Sequence, residues 1–174
     1  MIGCVDTHYF YGGSRTALLL FREWEDAAAN SSLVDERCEE SAPYIPGQFY
    51  LRELPCIVSV IEKCQANLAA IVIDGYCEFG EGRDGLGKML YRQLQASIPV
   101  IGVAKNPFRS AGNATKLYRR NSTRPLYITA NGISIGSAAG CIDRMHGNYR
   151  MPTLLKQVDQ LARGLDLPQC HGGR

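Results

Sequence analysis

A continuous apolar run, LAAIVID from Leu68 to Asp74, restricts the folds that this chain can adopt. Runs of this kind are typical of strands that are buried on both faces, as in parallel sheets covered by helices. A second run, PVIGVA from Pro99 to Ala104, follows after a segment with helical periodicity. Because parallel strands need a crossover connection, the two runs predict neighbouring parallel strands joined by a helix.

Three more strands are predicted upstream of the first apolar run. Ile2 to Phe10 and Arg15 to Trp24 flank a Gly-Gly turn and should form a hairpin, and Ser31 to Ser41 reads as a weaker third strand. The remaining predicted elements are helices at Glu53 to Gln65, Gly85 to Gln95, Ser137 to Met145 and Pro152 to Arg163, and a short strand at Leu126 to Ala130. We expect one α/β domain over residues 1–174, with a five-stranded mixed sheet (an antiparallel meander plus parallel strands) and helices packed on it.

Composition excludes several classes of protein. The N-terminus lacks the basic and apolar regions of a signal peptide, and no apolar run approaches the roughly 18 residues of a membrane span. The seven cysteines form no CxxC pair, so they favour reduced thiols over a disulfide framework or a zinc site. We therefore expect a cytoplasmic protein.

Acidic side chains occur where burial makes a lone charge costly. Asp6 lies inside the first predicted strand and Asp74 ends the first apolar run. Two carboxylates on neighbouring strands repel each other, and a divalent cation such as Mg²⁺ removes that cost. Glu53 at a helix start and Asp159 beside the apolar stripe of the last helix would complete the set. Each of the four carboxylates also has a simpler explanation, as a capping residue, a first-turn helix carboxylate or a solvated side chain.

Basic residues are concentrated in the second half of the chain. No Asp or Glu occurs between Asp84 and Asp143, whereas eight Lys and Arg residues do. The stretch from Asn106 to Pro125 is also rich in Gly, Ser, Asn and Thr, which predicts a mobile basic loop. Such a loop either contacts phosphates or only aids solubility.

The motifs together resemble endonuclease V, an RNase H-like nuclease family that recognises deaminated purines, above all inosine. The resemblance runs in order through VDTHY, PYIPGQFYLRE, IDG, PVIGVAK and YRMP. It implies that Asp6, Glu53, Asp74 and Asp159 bind Mg²⁺, with Mn²⁺ as a substitute, and are catalytic. It also implies that Lys105 lies near the scissile phosphate, although a strand-end lysine can equally face solvent.

The resemblance also implies contacts with nucleic acid. Tyr44 would be a wedge that enters the duplex at the lesion, although a ring packed on the rim of the core remains an alternative. Gly47, Gly75 and Gly102 would lie near the base pocket, or serve only turns and close packing. The remaining candidate contacts, from the proline-rich motif and the basic segment, are Pro43, Ile45, Pro46, Arg109, Lys116, Arg119 and Arg120.

Two stretches depart from the family pattern. After Asp74 and Gly75, members usually carry a second glycine and a His-Pro-Arg motif, whereas this chain reads YCEFGEGRDGLG. The family's Gly-His pair before the second-last helix is replaced by Ala130 and Asn131.

The resemblance implies a Mg²⁺-dependent endonuclease of DNA repair that cuts a phosphodiester 3′ to inosine in DNA, with no membrane and no obligate protein partner. Two alternatives stay open. One is an RNase H-like nuclease with another preference, such as RNA or structured DNA. The other is a catalytically silent nucleic-acid-binding protein.

Overall fold

The computed structural model describes residues 1–38, 50–80, 82–108 and 114–166. Its strands are β1 (Ile2–Phe10), β2 (Gly13–Phe21), β3 (Ser31–Arg37), β4 (Ala70–Asp74), β5 (Glu78–Phe79), β6 (Arg83–Asp84), β7 (Val100–Ala104), β8 (Thr115–Leu117) and β9 (Leu126–Asn131). Its helices are α1 (Tyr50–Glu62), α2 (Leu86–Gln93), α3 (Ile135–Arg144) and α4 (Thr153–Ala162). Within these ranges no helix is long and apolar enough to cross a membrane.

The main sheet is mixed, as predicted. Its strand order is β3-β2-β1-β4-β7-β9-β8, and β5 pairs with β6 in a separate hairpin. Strands β1, β4 and β7 are parallel neighbours, whereas β2, β3, β8 and β9 pair antiparallel. The predicted count of five strands is wrong, because the main sheet has seven, which are the six strands predicted individually and one more. The additional edge strand β8 lies within the stretch predicted to be a loop, where pairing with β9 supplies the order that its polar sequence does not suggest.

Helices cover both faces of the sheet, so the central strands are buried on each side. Successive side chains of β1 point to opposite faces of the sheet. Cys4 packs into the layer that contains α3 and α4, and Val5 packs into the layer that contains α1 and α2. Val72 and Ile73 divide in the same way on β4. The continuous apolar runs of β4 and β7 follow from this double burial.

Helix α1 covers Tyr50–Glu62, so it includes the three described residues before the predicted start at Glu53, and Pro55 lies inside it. Proline in a helix interior removes one backbone hydrogen bond. Pro55 is exposed, whereas the neighbouring Cys56 and Ile57 are buried. The helix therefore carries the proline on its solvent side, where water can hydrate the carbonyl left without a partner.

Cys77 stands where the family resemblance leads us to expect a second glycine, and its side chain is buried in the core. Its thiol donates to the carbonyl of Val100 at 3.5 Å, and its backbone N–H donates to Thr129 Oγ1 at 2.8 Å. A Cβ atom added to Gly87 would lie 2.4 Å from Cys77 Sγ. The cysteine fits because the facing residue of α2 has no side chain.

Arg119 is a structural residue of the fold. Its side chain is completely buried, and its guanidinium donates to the carbonyls of Tyr149 at 2.9 Å, of Arg150 at 3.2 Å and of Met145. Burial lowers the pKa of the guanidinium from its usual value. This burial does not suit the predicted contact of Arg119 with nucleic acid, since its guanidinium is directed to three backbone carbonyls of the protein.

Replacing Arg119 should destabilise the protein strongly. In Arg119→Ala, three carbonyls lose their donor, and we expect the free energy of unfolding to fall by about 3 kcal/mol or more. Urea denaturation measures the change. Arg144→Ala is a matched control, because it removes an exposed ion pair with Glu25 and should cost less than about 1 kcal/mol. Equal losses in both variants would contradict a structural role for Arg119.

Candidate active site

Two carboxylates are brought side by side by the pairing of β1 with β4. The parallel register joins Val5 to Ile73, so the next residues, Asp6 and Asp74, are neighbours at the carboxyl ends of these strands. Side chains alternate along a strand, so Asp6 and Asp74 both point to the sheet face that packs on α4. Sites in sheets of this kind collect at the carboxyl ends of parallel strands.

Two helices bring acidic side chains to the same place from opposite faces. Glu53 lies in the first turns of α1 and is buried, with 6% of its surface exposed. Asp159 lies on α4, whose apolar side packs on β1 and β2. A cleft of about 330 Å³ is lined by Asp6, Thr7, His8, Glu53, Asp74, Lys105, Asp159 and Arg163. The structure thus gathers all five predicted catalytic residues around one cleft.

Burial and mutual repulsion disturb the ionisation of this cluster. Burial first, and then the charge of Asp74, raise the pKa of Asp6 to about 7, although the backbone N–H of Thr7 donates to it at 2.9 Å. Burial, followed by the charges of Asp6 and Asp74, raises the pKa of Glu53 to about 9. Without added positive charge, the cluster therefore holds protons that isolated carboxyl groups would release.

Two basic side chains already neutralise part of this charge. Lys105 Nζ lies 2.7 Å from Asp74 Oδ2, so the lysine points into the cleft as expected. Partial burial lowers the pKa of the Lys105 ammonium, but its hydrogen bond and ion pair with Asp74 outweigh this and the net pKa is raised. Arg163 donates to Asp159 at 3.1 Å. Burial opposes ionisation of Asp159, yet this arginine keeps the pKa of the carboxyl below its usual value.

The donor set fits a hard divalent cation, although a metal centre is not preassembled. In the described part of the chain, no three Asp, Glu, His or Cys side chains are grouped closely enough to hold an ion. The available ligands are carboxylate oxygens, which Mg²⁺ prefers, and two of the carboxylates carry a raised pKa that a cation would lower. Asp74 and Lys105 are 38% and 43% exposed, so the side chains have room to rearrange around an ion.

Sequence reasoning missed two arginines at this site. The first is Arg163, although the Asp159-to-Arg163 spacing of one helical turn is a signal visible in the sequence. The second is Arg150, whose guanidinium donates to the backbone carbonyl of Lys105. That contact fixes the backbone of Lys105, and no sequence pattern indicates it.

A larger cavity adjoins the cleft and shares Glu53 and Asp74 with it. Its volume is about 730 Å³, and it lies where α1 and α2 face the carboxyl ends of β4 and β7. Its lining, within the described residues, is Tyr50, Glu53, Asp74, Gly75, Tyr76, Phe79, Gly82, Arg83, Asp84, Leu86, Met89, Arg92 and Phe108. The cavity therefore joins an aromatic wall to an acidic edge.

Two glycines shape the boundary between the cavity and the core. Gly75 lines the cavity with φ of +142°, a conformation that favours glycine. Gly102 is buried in β7, where an added Cβ would lie 2.6 Å from the carbonyl oxygen of Gly75 and 2.6 Å from Thr129 Oγ1. Gly102 therefore affects the cavity by letting the Gly75 backbone approach closely.

The remaining predicted nucleic-acid contacts divide into two groups. Lys116 on β8 and Arg120 after it are exposed, and the Arg120 side chain also donates to the carbonyl of Gly147 at 3.2 Å. The following predicted contacts lie outside the described residues: Pro43, Tyr44, Ile45, Pro46, Gly47 and Arg109.

Solved structures with the same arrangement of strands and helices define the class of fold as RNase H-like. Endonuclease V from Bacillus subtilis matches with a TM-score of 0.79 at 18% identity, covering 94% of this chain and 79% of that one. Endonuclease V from Ciona intestinalis, solved with a 24-mer DNA that contains an inosine followed by a ribo-adenosine, matches with a TM-score of 0.78 at 17% identity, covering 94% and 84%. The predicted RNase H-like fold is thus confirmed.

The family follows from the sequence. The family model described as Endonuclease V matches residues 1–118, and the chain belongs to the endonuclease V family. The match includes Asp6, Glu53, Asp74 and Lys105 and ends before Asp159. A curated relative, endonuclease V of Streptomyces coelicolor, is 26% identical over 145 residues, which are 71% of this chain. The chain spans 60% of the length of that relative.

The cluster predicts an inverse dependence of stability on pH when divalent cations are removed. The folded protein binds protons on Asp6 and Glu53 that the unfolded chain releases near pH 4, because both folded pKa values are raised, to about 7 and about 9. The free energy of unfolding should therefore fall as pH rises from about 4 to about 9, by up to about 1.4 kcal/mol per pH unit for each extra proton.

Urea denaturation in EDTA at a series of pH values measures this dependence. Asp6→Asn removes one of the two groups, so its stability should fall less between pH 4 and 7 than that of the wild type. Asp166→Asn, at an exposed position, is the control and should follow the wild-type profile. A wild-type stability that rises through this range would contradict the raised pKa values.

Proposed function

We propose that this protein is a Mg²⁺-dependent endonuclease of the endonuclease V type, which hydrolyses a phosphodiester 3′ to a deaminated base, inosine, in DNA. The observation that carries the proposal is the convergence of Asp6, Glu53, Asp74 and Asp159 on one cleft, with Lys105 against Asp74. A protein that only binds nucleic acid gains nothing from four acidic groups at the phosphate.

Each side chain has a role that its position supports. Asp6, Glu53, Asp74 and Asp159 would hold one or two Mg²⁺ ions, with Mn²⁺ as a substitute, and orient the nucleophilic water. A divalent cation supplies positive charge to the phosphate oxygens and acidifies water. Lys105, fixed at its backbone by Arg150, would place its ammonium against the scissile phosphate.

Contacts with the rest of the substrate would come from outside the cleft. Lys116 and Arg120 would contact the phosphate backbone, together with Arg109. Tyr44, in the stretch from Pro43 to Gly47, would occupy the space that the target base leaves in the duplex. Gly75 would border the displaced base, because it lines the cavity that adjoins the acidic cleft.

A nuclease with another substrate preference is the second candidate. The observation in its favour is the wall of the cavity, which includes the β5–β6 hairpin and three aromatic rings in mutual contact, those of Tyr76, Phe79 and Phe108. Stacking on aromatic rings binds any unpaired base, because every base has a π-face. The same metal chemistry could therefore act on RNA or on structured DNA.

Cleavage assays on matched oligonucleotides test the proposal. Labelled DNA and RNA strands, each with and without one inosine, are incubated with Mg²⁺ and the wild type, Asp74→Asn or Asp166→Asn. We expect the wild type and Asp166→Asn to cut the inosine strand, and Asp74→Asn to lose about 100-fold or more of that rate because one ligand and the partner of Lys105 are removed.

The outcomes separate the candidates. Cleavage that does not depend on inosine would support the metal chemistry and contradict the assignment of inosine as the target base. Binding of every strand without Mg²⁺-dependent cutting would overturn the enzyme proposal in favour of a nucleic-acid-binding protein.

Binding of Mg²⁺ should also stabilise the fold, which is measurable without substrate. A cation that binds only the folded state adds about 2.7 kcal/mol at a concentration 100 times its Kd. Thermal unfolding with increasing Mg²⁺ should show this in the wild type and much less in Glu53→Gln. Glu62→Gln, exposed on the same helix, is the control and should respond like the wild type. The same response in all three proteins would remove Glu53 from the metal site.

A further inference from the structure

We propose that the β5–β6 hairpin is the element that binds the target base, with Phe79 as the residue that stacks on it and Lys88 as the residue that positions the hairpin. This inference rests on the proposed function, since it names the part of the cavity that contacts the substrate base. Neither residue belongs to the acidic cleft.

Phe79 is part of a fixed aromatic group on the cavity wall. Its ring centroid lies 4.4 Å from that of Phe108 and 5.5 Å from that of Tyr76. The Tyr76 hydroxyl donates to the carbonyl of Asn106 at 2.7 Å and accepts from the N–H of Phe108 at 3.1 Å. Hydrogen bonds therefore fix Tyr76 against the segment that carries Phe108, and Phe79 packs on both rings before any base arrives, which reduces the entropy cost of stacking.

The position of this group suits a base whose backbone lies in the cleft. The cavity that Phe79 lines also includes Glu53 and Asp74, so it opens directly onto the acidic residues. Its volume of about 730 Å³ is within the range of ligand sites. Arg83, on the same hairpin, lies with its guanidinium carbon 5.7 Å from the Phe108 ring centroid and adds positive charge beside the rings.

Charged contacts with α2 and β9 hold the hairpin against the body of the protein. Lys88 Nζ lies 2.9 Å from Glu78 Oε1 and 3.1 Å from Asp84 Oδ1, so one ammonium joins both strands of the hairpin. Arg92 adds a second contact to Asp84, and Asn131 Nδ2 donates to Glu78 at 3.0 Å.

These contacts favour the binding of nucleic acid in two ways. They fix the hairpin that carries Phe79, and they neutralise Glu78 and Asp84, whose charges would otherwise repel a phosphate. Lys88 is about three-quarters buried, with 24% of its side chain exposed, so its ion pairs are shielded better than those at an open surface.

Binding to base-containing and abasic strands tests the stacking role. Fluorescence anisotropy in Ca²⁺, a cation that carboxylates also bind, gives the Kd for single-stranded DNA with inosine or with an abasic site at one position. Phe79→Leu should weaken binding of the inosine strand by about tenfold, within the range for losing one base–aromatic stack, and leave binding of the abasic strand unchanged. Phe79→Tyr keeps the ring and should restore the wild-type difference.

The same pair of strands tests Lys88. Lys88→Ala should weaken binding of the inosine strand by about fivefold with little effect on the abasic strand, and Lys88→Arg should restore it. Arg144→Ala, which removes an exposed ion pair with Glu25, is the matched control and should bind both strands like the wild type.

A base-specific loss in Phe79→Leu that is absent in Phe79→Tyr supports the inference. An equal loss on both strands, or no loss on either, overturns it. Substitution of 2-aminopurine for inosine gives an independent readout, because stacking on Phe79 should quench its fluorescence in the wild type and not in Phe79→Leu. These binding results do not depend on turnover. A wild type that cuts inosine strands without base-specific binding at Phe79 refutes this inference alone, and base-specific binding without cutting refutes the proposed function alone.

Discussion

The parallel pairing of β1 with β4 is the interaction on which the site depends. It places Asp6 beside Asp74, because the backbone register fixes the two residues at adjacent strand ends. The resulting repulsion and burial raise the pKa of Asp6 and of Glu53. The repulsion is relieved by protonation or by positive charge, from Lys105 and Arg163 in the protein alone and from a divalent cation in the function that we propose. The acidic cluster is thus a cost to the fold, and active sites commonly carry such a cost.

Much of this arrangement was predictable because the determining signals are local. Apolar runs at 68–74 and 99–104 indicate buried parallel strands, and a charged residue at the end of such a run indicates a site. The prediction failed where distant contacts decide the outcome. Arg119 lies in a basic, polar stretch that predicts an exposed loop, but three carbonyls at 145–150 draw it into the interior. Strand β8 is similarly set by its pairing with β9.

The two departures from the family pattern meet in space, although 47 positions separate Asp84 from Asn131 in the printed sequence. The hairpin lies where the family resemblance leads us to expect His-Pro-Arg, and Asn131, at the position of an expected histidine, donates a hydrogen bond to Glu78 of that hairpin. The two stretches are far apart in the sequence, whereas in the structure they contact each other. The two stretches are compatible because the Asn131 amide and the Lys88 ammonium both contact the Glu78 carboxylate.

The contact between Cys77 and Gly87 limits which substitutions these two positions can accept during evolution. A Cβ atom at position 87 would lie 2.4 Å from the Cys77 sulfur and 3.0 Å from the Cys77 Cα, so a glycine at position 77 would remove the closer contact and leave the backbone one. Position 87 is therefore restricted to glycine most strongly while the cysteine is present. A lineage that enlarged position 87 would first have to exchange the cysteine, and the backbone at position 77 would still have to shift by a few tenths of an ångström.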